Sequence, residues 1–84
     1  MLEQNYPNPF NPTTNIKFGV PETGFVKLSV FNIVGEEVAV LVNGNIEAGV
    51  YDMTFDARNL PSGAYFYKLQ SEKSVEVKKM LLTK

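Results

Sequence analysis

Residues 25–31, FVKLSVF, decide the fold class of this chain. The apolar residues Val26, Leu28 and Val30 recur at every second position, with one other residue between each pair. A period of two puts successive side chains on opposite faces of a strand, so this stretch predicts a half-buried β-strand. β-Branched and aromatic residues, which favour strands, make up most of it.

The same alternation recurs along the chain. Apolar residues at every second position mark five further stretches: Ile16–Val20, Val38–Val42, Tyr51–Phe55, Tyr65–Leu69 and Val75–Leu82. In the last stretch Val75 and Val77 follow one phase, and Met80 and Leu82 follow the other. Because a slip of one residue inverts the two faces of a strand, we expect a bulge or bend near Lys78–Lys79. A seventh, short strand is expected at Leu2–Gln4.

Turn residues separate these stretches. Proline, glycine, asparagine or serine occurs in each of five connecting segments: Pro21–Gly24, Asn32–Glu36, Asn43–Asn45, Asn59–Gly63 and Ser71–Lys73. No segment carries a convincing helical stripe. Strands spaced by roughly 8–12 residues and joined by turns predict an all-β fold, a small antiparallel sandwich of six to seven strands.

Length and composition favour one globular domain. The chain has 84 residues, of which 44% are hydrophobic and 20% charged. This is enough for one core and is too apolar for a disordered segment. We therefore expect a single domain at residues 1–84.

The composition also excludes several function classes. A net charge of −1 argues against nucleic acid, which needs a basic face. The chain has no histidine and no cysteine, which removes imidazole bases, thiol nucleophiles and the usual zinc ligands. Asp52 and Asp56 would lie about 13 Å apart along a strand, too far for paired acid–base work. We expect no enzymatic activity, no cofactor and no metal site.

No membrane-targeting segment is apparent in the sequence. No apolar run approaches the roughly 18 residues that a membrane-spanning helix needs. The first residues have neither the basic start nor the apolar run of a signal peptide. From these features alone, either the protein is cytoplasmic or it is a piece of a longer chain whose targeting sequence lies elsewhere.

The first 13 residues form a segment rich in proline and asparagine. Three prolines within residues 7–12 prevent regular strand or helix pairing. Such a segment could be a linker, but linkers seldom carry two large aromatic residues such as Tyr6 and Phe10. We therefore expect residues 1–13 to pack on the sandwich of residues 14–84, with these two side chains as anchors.

The order of motifs resembles a known family. The similarity covers nearly the whole chain and rests mainly on LEQNYPNPFNPTT at 2–14, VKLSVFN at 26–32, FDARNLPSGAYFY at 55–67 and KMLL at 79–82. Together these stretches resemble the type A C-terminal sorting domain of type IX secretion substrates. Phe55 stands where that family often has tryptophan, and Phe31 where it often has tyrosine. Both substitutions keep a large aromatic side chain.

The resemblance implies an immunoglobulin-like β-sandwich at the end of a larger secreted protein. Family members are exported through the periplasm and recognised by an outer-membrane translocon, and they reach the cell surface or the medium. A surface sortase commonly removes the domain from the cargo. The partners implied are the translocon, the sortase and the N-terminal cargo of the same precursor.

Two segments are candidates for recognition by the translocon. Within the terminal strand, Val77–Lys84, the candidate residues are Lys78, Lys79, Met80, Leu81, Leu82 and Lys84. The candidate N-terminal motif consists of Pro7, Asn8, Pro9, Phe10, Asn11 and Pro12. A turn motif accompanies them at Leu60, Pro61, Ser62 and Gly63. The alternative is that Lys79–Leu82 only completes the last strand.

Other functions remain open from the sequence. The domain could be a spacer or interaction module similar to fibronectin or hook-capping sandwiches, because a fold does not determine a function. It could also bind carbohydrate through an exposed aromatic such as Phe66 or Tyr51. Unpaired edge strands would allow a strand-mediated dimer of the isolated domain.

Overall fold

The computed structural model describes all 84 residues, Met1–Lys84. The chain folds into six strands and no helix. The strands are β1 (Thr13–Val20), β2 (Gly24–Phe31), β3 (Glu37–Ile46), β4 (Gly49–Asp56), β5 (Gly63–Ser71) and β6 (Val75–Leu82).

The strands form two antiparallel sheets that face each other. β1 and β4 make a two-stranded sheet, and the other strands make a four-stranded sheet in the order β3-β2-β5-β6. The predicted all-β, immunoglobulin-like sandwich is confirmed.

The core lies between the inward faces of the two sheets. Ile16 and Phe18 of β1 are fully buried, and so are Leu28 of β2, Tyr67 of β5 and Met80 of β6. Burying one large apolar side chain contributes about 1.5–3 kcal/mol to the free energy of folding. The alternation seen in the sequence therefore places these side chains where their burial stabilises the fold.

The prediction of a bulge or bend near Lys78–Lys79 is wrong. β6 pairs with β5 in one unbroken register, from the pair Gly63–Leu82 to the pair Gln70–Val75. Met80 and Leu82 point into the core, whereas Val75 and Val77 point outward. The apparent slip arises because the first half of β6 places Glu76, not an apolar residue, on the inward face, where its carboxylate accepts the N–H of Leu2 at 3.2 Å.

Irregular pairing occurs instead between β2 and β3. The register shifts between Leu28 and Ser29 and again between Val30 and Phe31, which leaves extra residues in β3. Because each extra residue inverts the alternation, Val40 of β3 is 44% exposed. The bulges make β3 an irregular edge strand.

The prediction of a turn at Asn43–Asn45 is also wrong. Gly44 lies within β3 opposite Val26, and its φ of 159° is an extended conformation. The chain instead reverses at Glu47 and Ala48, between the ends of β3 and β4. The asparagine–glycine pair was misleading because the same residues fit an exposed, extended edge.

The seventh strand expected at Leu2–Gln4 is reduced to a single bridge. Leu2 pairs with Phe18 of β1, and the N–H of Glu3 donates to the carbonyl of Lys17 at 2.9 Å. The ladder stops there because the next N–H, that of Asn5, donates to the hydroxyl of Tyr67 and not to β1.

Candidate functional site

The first twelve residues, Met1–Pro12, are here named the strap. The strap runs along the edge of β1 that β4 leaves free. Tyr6 and Asn15 exchange backbone hydrogen bonds of 3.0 and 2.9 Å, and the N–H of Gly19 donates to the carbonyl of Met1 at 2.7 Å. The strap thus covers one edge of the two-stranded sheet.

The strap also covers part of the outer edge of β6. The side-chain oxygen of Asn8 accepts the N–H of Leu81 at 2.9 Å. The N–H of Phe10 donates to the carbonyl of Leu81, and the N–H of Thr83 donates to the carbonyl of Phe10, each at 2.9 Å. Nε2 of Gln4 donates to the carbonyl of Lys79 at 2.8 Å. The strap therefore bridges both sheets along one side of the sandwich.

A buried polar network holds the strap at its middle. The backbone N–H of Asn5 donates to the Tyr67 hydroxyl at 2.8 Å, and this hydroxyl donates to the carbonyl of Glu3 at 2.7 Å. Nδ2 of Asn5 donates to Oγ1 of Thr14 at 3.0 Å, and Oγ1 donates to the carbonyl of Pro7 at 2.8 Å. Burial raises the pKa of Tyr67, and the hydrogen bond from Asn5 offsets this partly.

This network was not predicted from the sequence, and one of the two predicted anchors, Tyr6, is wrong. Tyr6, expected to pack on the sandwich, is 80% exposed, whereas Asn5 beside it is 2% exposed. The only available signal was that Asn5 precedes a Tyr-Pro pair and a strand. No spacing rule connects it with Tyr67, which lies 62 residues away.

Phe10 is the apolar anchor of the strap. Its side chain is 2% exposed, and its ring centroid lies 6.3 Å from that of Phe55. The neighbouring residues Asn8, Pro9 and Asn11 are exposed. The peptide bonds that precede the three prolines of the strap are all cis. The motif residues thus divide into one buried ring and an exposed ridge around it.

The turn motif at Leu60–Gly63 lies at the same end of the sandwich. Nζ of Lys84 donates to the carbonyl of Leu60 and, at 3.1 Å, to that of Arg58. The N–H of Ala57 donates to the carbonyl of Pro12 at 2.9 Å. The fold therefore brings together the three segments that the sequence singled out, which are far apart along the chain.

Arg58 and Asp56 close the turn between β4 and β5. The carboxylate of Asp56 accepts the backbone N–H of Arg58 at 3.0 Å and its Nε at 2.9 Å. These hydrogen bonds from Arg58 lower the pKa of Asp56. Asp56 therefore acts as a turn-capping group, while Asp52 is exposed on the same strand.

The candidate residues of β6 and the chain end do not all face solvent. Met80 and Leu82 belong to the core, with 0% and 2% exposure. Lys78 is half-buried, whereas the other three candidates, Lys79, Leu81 and Lys84, are exposed. Only the exposed residues and the accessible part of Lys78 can contact a partner while the domain stays folded.

The aromatic residues considered for carbohydrate binding are not free platforms. Tyr51 is half-buried, stacks on Phe18 with ring centroids 5.5 Å apart, and donates its hydroxyl hydrogen bond to the carbonyl of Glu47 at 2.6 Å. Phe66 is half-buried in the four-stranded sheet. Both rings are half-buried, and neither is a fully exposed platform.

Comparison with protein-family models gives a match over almost the whole chain. The family model described as the secretion system C-terminal sorting domain matches residues 4–83. The matched region includes all six strands and most of the strap. No curated protein matches the chain. The structure contains no helix long and apolar enough to cross a membrane.

Proposed function

Because the chain belongs to the secretion system C-terminal sorting domain family, we propose that it directs a larger cargo protein through the type IX translocon. In this proposal the domain is a non-catalytic address that acts as one unit, Met1–Lys84. Its cargo precedes it in the same precursor. The destination is the cell surface or the medium, reached through the periplasm.

The observation that carries this proposal is the family match across residues 4–83. The geometry supports it. Catalysis needs convergent acids, bases or nucleophiles. The two carboxylates with a lowered pKa are both engaged, Asp56 by Arg58 in a turn and Glu76 by the N-terminal amine and the N–H of Leu2. A rigid domain whose distant motifs meet at one end is suited to recognition by shape.

We place recognition at the end of the sandwich where the strap meets β6. The exposed contributors are Lys79, Leu81 and Lys84 together with the exposed strap residues Asn8, Pro9 and Asn11. The competing explanation is that this region only completes the fold. Deleting Lys79–Lys84 would not separate the two, since the deletion removes Met80 and Leu82 from the core. Substitutions at exposed positions are needed.

We propose further that a sortase removes the domain after export by cutting upstream of Leu2. Leu2 and Asn5 are buried parts of the fold, which supports a cut before the strap and not within it. Mass spectrometry of an exported carrier fusion tests this. The carrier should be recovered without residues 2–84, and recovery of only the intact fusion outside the cell would contradict the cleavage step.

The alternative function is a structural spacer, and the position of the domain separates the two. Two Sec-targeted fluorescent fusions are compared in a type IX-competent bacterium, one with the domain after the carrier and one with it before. A sorting signal should export only the first fusion. A spacer should leave both fusions in the periplasm, because neither would carry an address.

A further inference from the structure

The outward side of β6 presents a line of exposed side chains. Val75, Val77, Lys79 and Leu81 occupy successive outward positions, and the three apolar members are 58%, 54% and 40% exposed. β-Branched and aliphatic side chains exposed in a row on one strand are unusual for a surface that faces only water. The row is therefore a candidate contact surface.

The surface continues onto β5. Lys79 pairs with Phe66, and Val77 pairs with Lys68. Phe66 in turn pairs with Phe31 of β2, and Nζ of Lys68 lies 5.0 Å from the centre of the Phe31 ring. The half-buried rings of Phe66 and Phe31 therefore extend the apolar surface of the exposed row. We call the outward residues of β5 and β6 the outer face.

The outer face is basic as well as apolar. Its charged residues are Lys68 and Lys79, and it carries no aspartate or glutamate. The outward side of the other sheet differs, because it carries two carboxylates, Asp52 opposite Lys17 and Asp56 opposite Thr13. A partner that presents apolar side chains flanked by carboxylates would complement the outer face in both shape and charge.

Strand addition at the end of β6 is hindered. The strap already holds the carbonyl of Lys79, both backbone groups of Leu81 and the N–H of Thr83. Displacing the strap there would also expose Phe10, which is 2% exposed. A partner can therefore contact the side chains of the outer face more easily than it can form hydrogen bonds with the backbone at the edge of β6.

We infer that the domain docks through the outer face, centred on Val77 and Lys79, against an apolar and acidic surface of an export-machinery protein. This inference rests on the proposed sorting function. A protein partner is favoured over an anionic membrane because the domain carries a net charge of −1 and only two lysines on this face.

Matched variants on the two sheets test the inference. The outer-face pair is Lys79→Glu and Val77→Ser. The control pair is Lys17→Glu and Val50→Ser, which makes the same changes on the outward side of the two-stranded sheet, where Val50 is 68% exposed. None of these four residues makes a salt bridge or belongs to the core. Thermal melts of all variants establish that the domain remains folded.

Export of a Sec-targeted fluorescent fusion is the readout. We expect each outer-face variant to lower the exported fraction by about tenfold, because a reversed charge faces the partner's carboxylates or an apolar contact is lost. The control variants should export like the unaltered domain. Equal export of both pairs would overturn the docking inference while leaving the sorting function intact. Failure of the unaltered fusion to export would instead contradict the sorting function.

A vesicle experiment tests the nature of the partner. Vesicles containing about one third anionic phospholipid are mixed with the isolated domain and sedimented. We expect no binding above that of neutral vesicles. Binding that Lys79→Glu abolishes and Lys17→Glu leaves unchanged would contradict the assignment of a protein partner.

Discussion

The backbone N–H of Asn5 donates a 2.8 Å hydrogen bond to the hydroxyl of Tyr67, a fully buried residue in the middle of β5. Through this contact the core of the four-stranded sheet holds a segment that also pairs with β1. The strap is therefore an integral part of the sandwich, although its prolines exclude it from any regular strand.

Tyr67→Phe should lower the free energy of unfolding by about 1–3 kcal/mol, because it leaves the Asn5 N–H without its acceptor inside the protein. Urea denaturation of both proteins measures the change. Tyr51→Phe is the control, since its hydroxyl bonds to an exposed carbonyl, that of Glu47, and its loss should cost less. Equal effects of the two substitutions would contradict the anchoring role of Tyr67.

Stability should fall at alkaline pH through Tyr67. Burial raises the pKa of Tyr67 in the folded state, so its hydroxyl ionises at lower pH when the chain is unfolded. The neutral Tyr67 hydroxyl contributes its full share of stability below the ordinary tyrosine pKa of about 10. That stability is lost as the pH rises through the higher pKa of Tyr67 in the folded state. Urea denaturation at pH values from about 8 to 11 should show a steeper decline for the unaltered domain than for Tyr67→Phe. Parallel curves would refute this contribution.

Phe10→Ala should lower the free energy of unfolding by about 3–5 kcal/mol, because it leaves a cavity in the core beside Phe55. Tyr6→Ala, four residues earlier in the same strap, should change stability by less than about 0.5 kcal/mol, since the ring is 80% exposed. Thermal or chemical unfolding of the two variants makes the comparison. A larger loss from Tyr6→Ala would mean that the strap is anchored by the other aromatic.

Asn8→Ala should weaken the contact between the strap and β6 at Leu81 without unfolding the domain. The Asn8 side chain accepts the N–H of Leu81, and this bond is exposed. Its loss should therefore cost at most about 1 kcal/mol but should speed amide hydrogen exchange at Leu81. Asn11→Ala is the matched control, because Asn11 is exposed and makes no side-chain hydrogen bond within the domain. Unchanged exchange at Leu81 would argue against this contact.

The strands were predictable because their buried apolar residues occupy every second position. Val26, Leu28 and Val30 read as one buried face in the sequence, and that face is buried. The sequence was misleading in the edge strands β3 and β6, where the alternation of apolar and polar residues is less regular. At the start of β6, Val75 and Val77 point outward and Glu76 points inward, so the apolar residues there do not mark the buried face. Gly44 sits in an edge strand, where residues typical of turns are tolerated.

The contents of the candidate site were predictable only in part. The family resemblance singled out the strap, the turn and β6, but their meeting at one end depends on contacts such as that between Asn8 and Leu81, 73 residues apart. Likewise, the sequence could not separate Met80 and Leu82, which are buried, from Lys79 and Leu81, which are exposed, because the expected bulge left the faces undefined.

Translocon-dependent export decides whether this domain is a type IX sorting signal. Met1–Lys84 is fused behind a Sec-targeted fluorescent protein, and the fluorescence outside the cell is compared between a type IX-competent bacterium and a translocon-deficient strain of it. We expect fluorescence at the surface or in the medium of the first strain and periplasmic retention in the second. Periplasmic retention of the folded, intact fusion in both strains, in a host that exports its own sorting-domain proteins, would contradict it.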